Sequence, residues 1–512
     1  MYKWSNANLL TFTGEAEWLP NISHDELSNR IIGSLFGSAL GEIIGLYTHG
    51  ISTPEQCTIS YPDQRFSLDP EPTQFCTKRI PEGMERVRWY YGYGQWADAT
   101  DQMILLLLSV IHEADRAPPH PAHFARRLKI YKQNGLVALG QGYYPSNLDW
   151  VTKKVVSDPS FEHNPMKAAI DVYNNQRQAA ERKEEDVRLT VSNGAVVRTG
   201  VLGLITLWLQ EKQPSPWKDP VDPVSFKLGS WEGTSDIAII SDLTAKTTHA
   251  DPACILSCRI VTRLTRACLR GQVKHEQYVH DIVAKTVEEF PEISEGCMKR
   301  LWEQTAELDQ LDLASKEDPV DHTYTAVASG IFCLREAIKK LKKGPVLVEK
   351  EEVFEDLITD LVMRGGAAKD NACMAGGILG AFLGYTTLPR HWKNGVKNGD
   401  WLMDKGEALL VGKPGDATAT DGGDKNLVAW TEVAHLWNET RAQTRFLNAI
   451  RVKEEKESEE EENKKKEKKA KWGNRRKAVF RVLKKGLGLC KIVENKNIEK
   501  EKNIFLRPEI PI

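Results

Sequence analysis

Apolar residues recur along this chain in runs and at three- to four-residue spacing, and nowhere in the sustained alternation of a half-buried strand. The pattern predicts helices over Ile31–Tyr47, Met103–Val110, Val201–Leu209, the stretch from Pro252 through Leu269, Tyr324–Ala337 and Val353–Met363. Residues 113–190 read as amphipathic helix broken by a proline-rich turn at Pro118–Pro121, with a charged, solvated face over 171–190. Residues 50–90 mix proline, charge and aromatic rings without a period and read as a long surface excursion. The fold class that follows is all-α.

Two of the predicted helices carry glycine at every fourth position. Gly33, Gly37, Gly41 and Gly45 form one stripe, and Gly376, Gly380 and Gly384 form another within Gly365–Pro389. Residues four apart share a helix face, and a face without Cβ atoms lets a neighbouring backbone come close. Each glycine costs a helix roughly 1 kcal/mol relative to alanine, so a stripe implies a return in packing or function. The polar turn Ala367-Ala368-Lys369-Asp370-Asn371 precedes the second stripe, and Ala97-Asp98-Ala99-Thr100-Asp101-Gln102 leads into Met103–Val110. Both read as helix N-termini, the latter capped by Asp98 or Thr100.

Composition narrows the class further. The chain has 512 residues, a hydrophobic fraction of 41% and a net charge of −2, enough for a large core and no global attraction to nucleic acid or membrane. Its nine cysteines are scattered without zinc-type spacing, and Cys254 and Cys258 fall one helical turn apart, so buried reduced thiols and a cytoplasmic or nuclear location are expected. The opening MYKWSNANLLTF lacks the regions of a secretory signal, and the longest apolar stretch is interrupted by Glu42, which predicts no transmembrane segment. Residues 453–469 alternate blocks of Glu and Lys. Lys471–Lys491 then place Arg475, Arg476, Lys477, Arg481, Lys484 and Lys485 among apolar residues, which would suit an anionic surface.

Several of these segments together resemble the ADP-ribosylglycohydrolases, the family of the dinitrogenase reductase-activating glycohydrolases. The family's late signature, Gly-Gly-Asp-x-Asp-Thr-Asn-Ala, is met by Gly365, Gly366, Asn371 and Ala372, with Ala367 and Lys369 at the two Asp positions and Asp370 at the Thr. Its Trp-Thr-Asp-Asp-Thr is met by Trp96, Asp98 and Thr100, with Ala97 and Ala99 between them. The early Gly-Asp-Ala-x-Gly falls on the first glycine helix with Glu42 as its acid, and the Glu of fungal-type members falls on His49. Ser192-Asn193-Gly194-Ala195 with Arg198 resembles the family loop that holds the ligand's phosphates and distal ribose. Thr248, His249 and Asp251 match its Thr-His-x-Asp, Gly140-Gln141-Gly142 resembles a glycine loop, and Leu388, Pro389 and Trp392 match the last motif.

The resemblance implies a single large orthogonal helical domain over residues 25–420, after an N-terminal extension, 1–24, and before a charged, partly disordered tail, 421–512. It also implies a family reaction: hydrolysis of the glycosidic bond of ADP-ribose on modified proteins with two Mg²⁺ ions. Of the family's metal ligands only Asp98 stands unchanged; Asp370 is a residual candidate, and positions 97, 99, 367 and 369 are lost. The net change is two carboxylates fewer and one ammonium more. At ~4 Å and an effective dielectric near 20, each unit pair is worth roughly 4 kcal/mol, more in sum than a weakly held Mg²⁺ supplies. No cofactor, or one weakly bound ion, is therefore expected, with Lys369 Nζ near Asp98 or Asp370 in place of metal. Three readings remain open: an impaired hydrolase that still binds an ADP-ribose-like nucleotide or an ADP-ribosylated protein through Ser192, Asn193, Gly194 and His249; a working hydrolase rebuilt on His49, Asp98 and Asp370; and an interaction protein acting through its tail.

Overall fold

The computed structural model describes residues 24–76, 91–111, 121–136, 139, 148–182, 190–205, 207, 237–294, 296–311, 313, 322–342 and 350–411. Residues 1–23, the Gly140–Gly142 loop and the charged tail lie outside the described residues. Among the described residues the chain is helical and contains no strand, only an isolated bridge between Ser192 and His322.

The centre is a pair of antiparallel helices, α1 (His24–Gly45) and α13 (Ala368–Leu383), whose glycine stripes face each other. A Cβ on Gly33 would lie 2.5 Å from the Gly380 carbonyl oxygen, one on Gly37 2.1 Å from that of Gly376, and one on Gly41 1.9 Å from that of Ala372. Backbone therefore meets backbone along three turns. At the end of the seam a Cβ on Gly45 would lie 2.4 Å from Lys369 Cα. The return on the glycines is thus a fixed approach that delivers the first turn of α13 to the last turn of α1.

The remaining helices wrap this pair: α2 (Pro54–Ser60), α3 (Asp98–Ile111), α4 (Pro121–Asn134), α5 (Trp150–Val156), α6 (Pro165–Glu181), α7 (Val196–Ile205), α8 (Ile237–Lys246), α9 (Pro252–Leu269), α10 (Glu276–Glu288), α11 (Thr323–Lys342) and α12 (Lys350–Val362). After α13 come the short α14 (Arg390–Lys393) and α15 (Gly399–Val411). The apolar run of α3 buries Met103 through Leu108, and α11 and α12 contribute Ile331, Leu334, Leu357 and Leu361 to the same core. No described helix is long and apolar enough to cross a membrane.

Two expectations need correction. The segment 50–76 is not simply a surface excursion: Tyr61, Phe66 and Leu68 are buried, with the Phe66 ring 5.0 Å from that of Tyr47. Aperiodic aromatic residues mark a packed loop here. Nor is α3 capped by Asp98 or Thr100. Asp98 is its first residue, and the amides of Ala99 and Thr100 both donate to Glu42, at 2.9 Å to Oε1 and 2.9 Å to Oε2. A remote carboxylate from α1 takes the place of a local cap, which joins the two elements more firmly than a neighbouring side chain would.

Candidate functional site

Positive φ at Gly365 (75°) and Gly366 (61°) turns the chain sharply into α13. A Cβ on Gly365 would lie 2.2 Å from the Ile51 carbonyl oxygen, and Gly50 and Gly366 exchange backbone bonds with Gly366 and Ile51 at 2.8 Å. The turn is thereby locked onto the segment after His49. From it Lys369 extends inward and donates to Asp98 Oδ1 at 2.8 Å and to Asp370 Oδ1 at 2.7 Å, with Glu42 Oε1 4.0 Å away. All four side chains are buried. This is the placement of Lys369 that the sequence led us to expect.

Charge in this cluster is mutually dependent. Burial alone would push the Lys369 ammonium down, but Asp370, Asp98 and Glu42 more than reverse it and hold it well above its usual range. Burial raises Glu42 to about 7 against the pull of Lys369, and it also raises Asp98. The Tyr91 phenol, pushed well up by burial, feels Asp98 and Glu42 too. Asp101 is turned away from the ammonium: Trp96 Nε1 donates to its Oδ1 and the Tyr131 hydroxyl to its Oδ2, both at 2.8 Å. Among the described residues no group of three or more His, Cys, Asp or Glu is arranged as a metal site.

A second polar group surrounds the start of α7. Asp149 caps α5 by accepting from the Thr152 amide at 3.0 Å, and the same Oδ1 accepts from Ser192 Oγ at 2.8 Å. His249 Nε2 is 2.8 Å from Ser192 Oγ and 3.5 Å from Asp149 Oδ1, and its Nδ1 is 2.8 Å from Thr248 Oγ1. Arg198, fully buried, donates to Thr248 Oγ1 at 2.6 Å, to Gln102 Oε1 at 2.9 Å and to the Gly194 carbonyl at 3.0 Å. Burial would raise Asp149, yet the hydrogen bonding of His249 and Thr152 holds it well below the usual carboxylate range. Asn193 is buried with its Nδ2 lacking a hydrogen-bond partner. Asp251 is occupied locally, accepting from the Ala253 amide at 3.0 Å and from Thr190 Oγ1 at 2.8 Å.

The structure thus brings Ser192, Gly194 and His249 into one hydrogen-bonded group and Asp98, Lys369 and Asp370 into another; α3 runs between them, carrying Asp98 and Gln102. Ala97, Ala99 and Ala367 are buried at the helix starts beside the second group. His49 follows α1 with its backbone amide bonded to the Gly45 carbonyl at 2.9 Å, and no described hydrogen bond joins its ring to Asp98 or Asp370. Sequence reasoning missed Asp149, which belongs to no recognisable motif, and the capping role of Glu42. A groove of about 420 Å³ lined by Tyr61, Asp63, Arg65, Gln74, Phe75 and Cys76 contains none of the candidate residues.

No curated protein matches the sequence. A solved structure described as an ADP-ribosylglycohydrolase-related protein complex is similar over 75% of this chain and 98% of its own, at 15% identity and a TM-score of 0.43. The family model for ADP-ribosylglycohydrolase matches residues 23–418, most of the chain. The chain therefore belongs to the ADP-ribosylglycohydrolase family.

Proposed function

We propose that this protein recognises an ADP-ribose-like nucleotide, free or on a modified protein, at the start of α7 and does not run the two-Mg²⁺ hydrolysis of its family efficiently. The observation that carries this reading is the Lys369 ammonium, bonded to Asp98 and Asp370 at 2.8 and 2.7 Å.

The donor set does not fit two divalent ions. Mg²⁺ takes near-octahedral oxygen ligands at about 2.0–2.1 Å, and a pair brings four positive charges. Here one oxygen each of Asp98 and Asp370 is engaged by an ammonium, and both oxygens of Glu42 are engaged by the Ala99 and Thr100 amides. An ion entering this group would face Lys369 as a like charge in a buried setting, where repulsion is strong. The start of α7 keeps what recognition needs: a helix N-terminus that favours an anion and the unpartnered Asn193 Nδ2. A buried donor without a partner costs roughly 1–3 kcal/mol, which a ligand acceptor would recover. Every described cysteine is a free thiol, and all but Cys76 are buried, which fits a cytoplasmic or nuclear setting.

Titration calorimetry with ADP-ribose, with and without Mg²⁺, tests the reading. Binding that ignores Mg²⁺, with no release of ADP-ribose from a modified protein, is the expected result. Turnover would instead favour a hydrolase rebuilt on His49, Asp98 and Asp370, and absence of binding would favour a protein that acts only through partners of its tail. Restoring Ala97→Thr, Ala99→Asp, Ala367→Asp and Lys369→Asp together should bring back Mg²⁺ binding.

A further inference from the structure

The polar residues around α7 form a chain with a donor at one end and an acceptor at the other. Arg198 has donors only, so Thr248 Oγ1 accepts from its Nη2 at 2.6 Å. With the ring neutral, the Thr248 hydroxyl hydrogen is directed to His249 Nδ1 at 2.8 Å. With Nδ1 an acceptor, the ring proton sits on Nε2 and is donated to Ser192 Oγ at 2.8 Å. Ser192 passes its own hydrogen to Asp149 Oδ1 at 2.8 Å, and an ionised carboxylate can only accept. A buried cation stands at one end and a buried anion at the other, and a neutral imidazole relays the chain in this direction; a protonated ring would instead donate from both nitrogens, to Thr248 Oγ1 and to Ser192 Oγ.

Asp149 also presses on the loop from below. A Cβ on Gly194 would lie 2.0 Å from its Oδ2, so the carboxylate rests directly against that glycine. It therefore touches the residues on both sides of Asn193. The side-chain donors of Ser192 and His249 are committed within the chain, whereas Asn193 Nδ2 has no partner.

We propose that Asp149 is the positioning residue of this loop: it anchors the chain from Arg198 through His249 and Ser192, and so leaves Asn193, rather than Ser192 or His249, to meet the ligand with its side chain. This rests on the nucleotide-binding reading for its ligand, and on geometry alone for the direction of the chain. The position had no motif to mark it, since Asp149 is brought to Ser192 only by the fold.

Two measurements on the full-length protein test it. The imidazole ¹⁵N signals of His249, assigned by their loss in His249→Gln, should report the neutral Nε2–H tautomer in the wild type. That tautomer should persist in Asn193→Ala and be disturbed in Asp149→Leu, which removes the acceptor at the end of the chain. Calorimetric titration with ADP-ribose should show affinity falling at least about tenfold in both variants, with Asp149→Glu recovering less than the wild-type value because its longer side chain must displace Gly194. An Nδ1–H tautomer or a doubly protonated ring in the wild type would overturn the proposal, as would unchanged ADP-ribose affinity in a folded Asp149→Leu. If the wild type does not bind ADP-ribose, the functional reading falls, and the tautomer still decides the direction of the chain. If Asp149→Leu does not fold, Thr248→Val supplies the same test by removing the donor to Nδ1: loss of the tautomer preference supports the chain, and its retention overturns it.

Discussion

The first turns of α13 and α7 both bury a cation near a helix N-terminus, where the dipole disfavours it, and they compensate differently. At α13 the Lys369 ammonium is met directly by Asp98 and Asp370, with Glu42 behind them. That ammonium needs no intermediary, although the Asn371 side chain in the same turn is buried without a hydrogen-bond partner. At α7 the Arg198 guanidinium is separated from Asp149 by three intervening side chains, and Asn193 between them retains an uncommitted donor. The difference lies in how the charge is met: at α13 an ammonium sits directly among carboxylates, whereas at α7 a relay of neutral side chains spans cation and anion.

The sharpest way to break the comparison is to remove the ammonium. Lys369→Met leaves Asp98, Asp370 and Glu42 buried without their cation, and loss of one partner from a buried ionic group costs about 3–5 kcal/mol. Urea denaturation should show that loss, and Mg²⁺ should recover part of it in the variant while leaving the wild type unchanged. A wild type stabilised by Mg²⁺ as strongly as the variant would contradict the view that the ammonium keeps the ion out.

Next in size is Gly41→Ala. The new methyl would meet the Ala372 carbonyl oxygen at 1.9 Å, and backbone cannot step aside cheaply, so a cost of about 1–3 kcal/mol or more is expected in the same measurement. Added Mg²⁺ should recover none of it, which separates a packing defect from a charge defect.

The smallest expected effect concerns acid. Asp149 has its folded pKa depressed below the ordinary 3.8, so it contributes stability that is complete above that value and is lost as pH falls through the lower folded value. Asp149→Asn should therefore be less stable than the wild type near neutrality and lose less additional stability on acidification below pH ~4. Thermal melts from pH 2 to pH 6 would show parallel curves if the carboxylate were not held ionised by its partners.

Much of this arrangement was legible before any coordinates. Glycine at every fourth position of two helices is a local signal of close approach, and the structure pairs those two stripes with each other. Lys369 was placed by charge: an ammonium beside an otherwise unpaired Asp98 has few other low-energy positions. What remained hidden depends on distance along the chain. The Glu42 bonds to Ala99 and Thr100 and the Asp149 bond to Ser192 join residues far apart in sequence, and neither carboxylate carries a spacing that points to its partner. A local rule suggested Asp98 or Thr100 as cap of α3, but Asp98 is drawn to Lys369 and a remote acid covers the amides. The aromatics of segment 50–76 were read as exposed because periodicity is silent about irregular loops, which can bury rings as well as helices do.

Because α1 and α13 touch main chain to main chain, the position of residue 369 is set by peptide groups and not by the side chain it carries. Its identity can therefore be rewritten while the scaffold beneath it stays put. A lineage could exchange an acid for a lysine there, or reverse the exchange, and alter the electrical character of the buried cluster without redesigning the architecture that presents it. Chemistry and chassis are, at this one address, separately heritable.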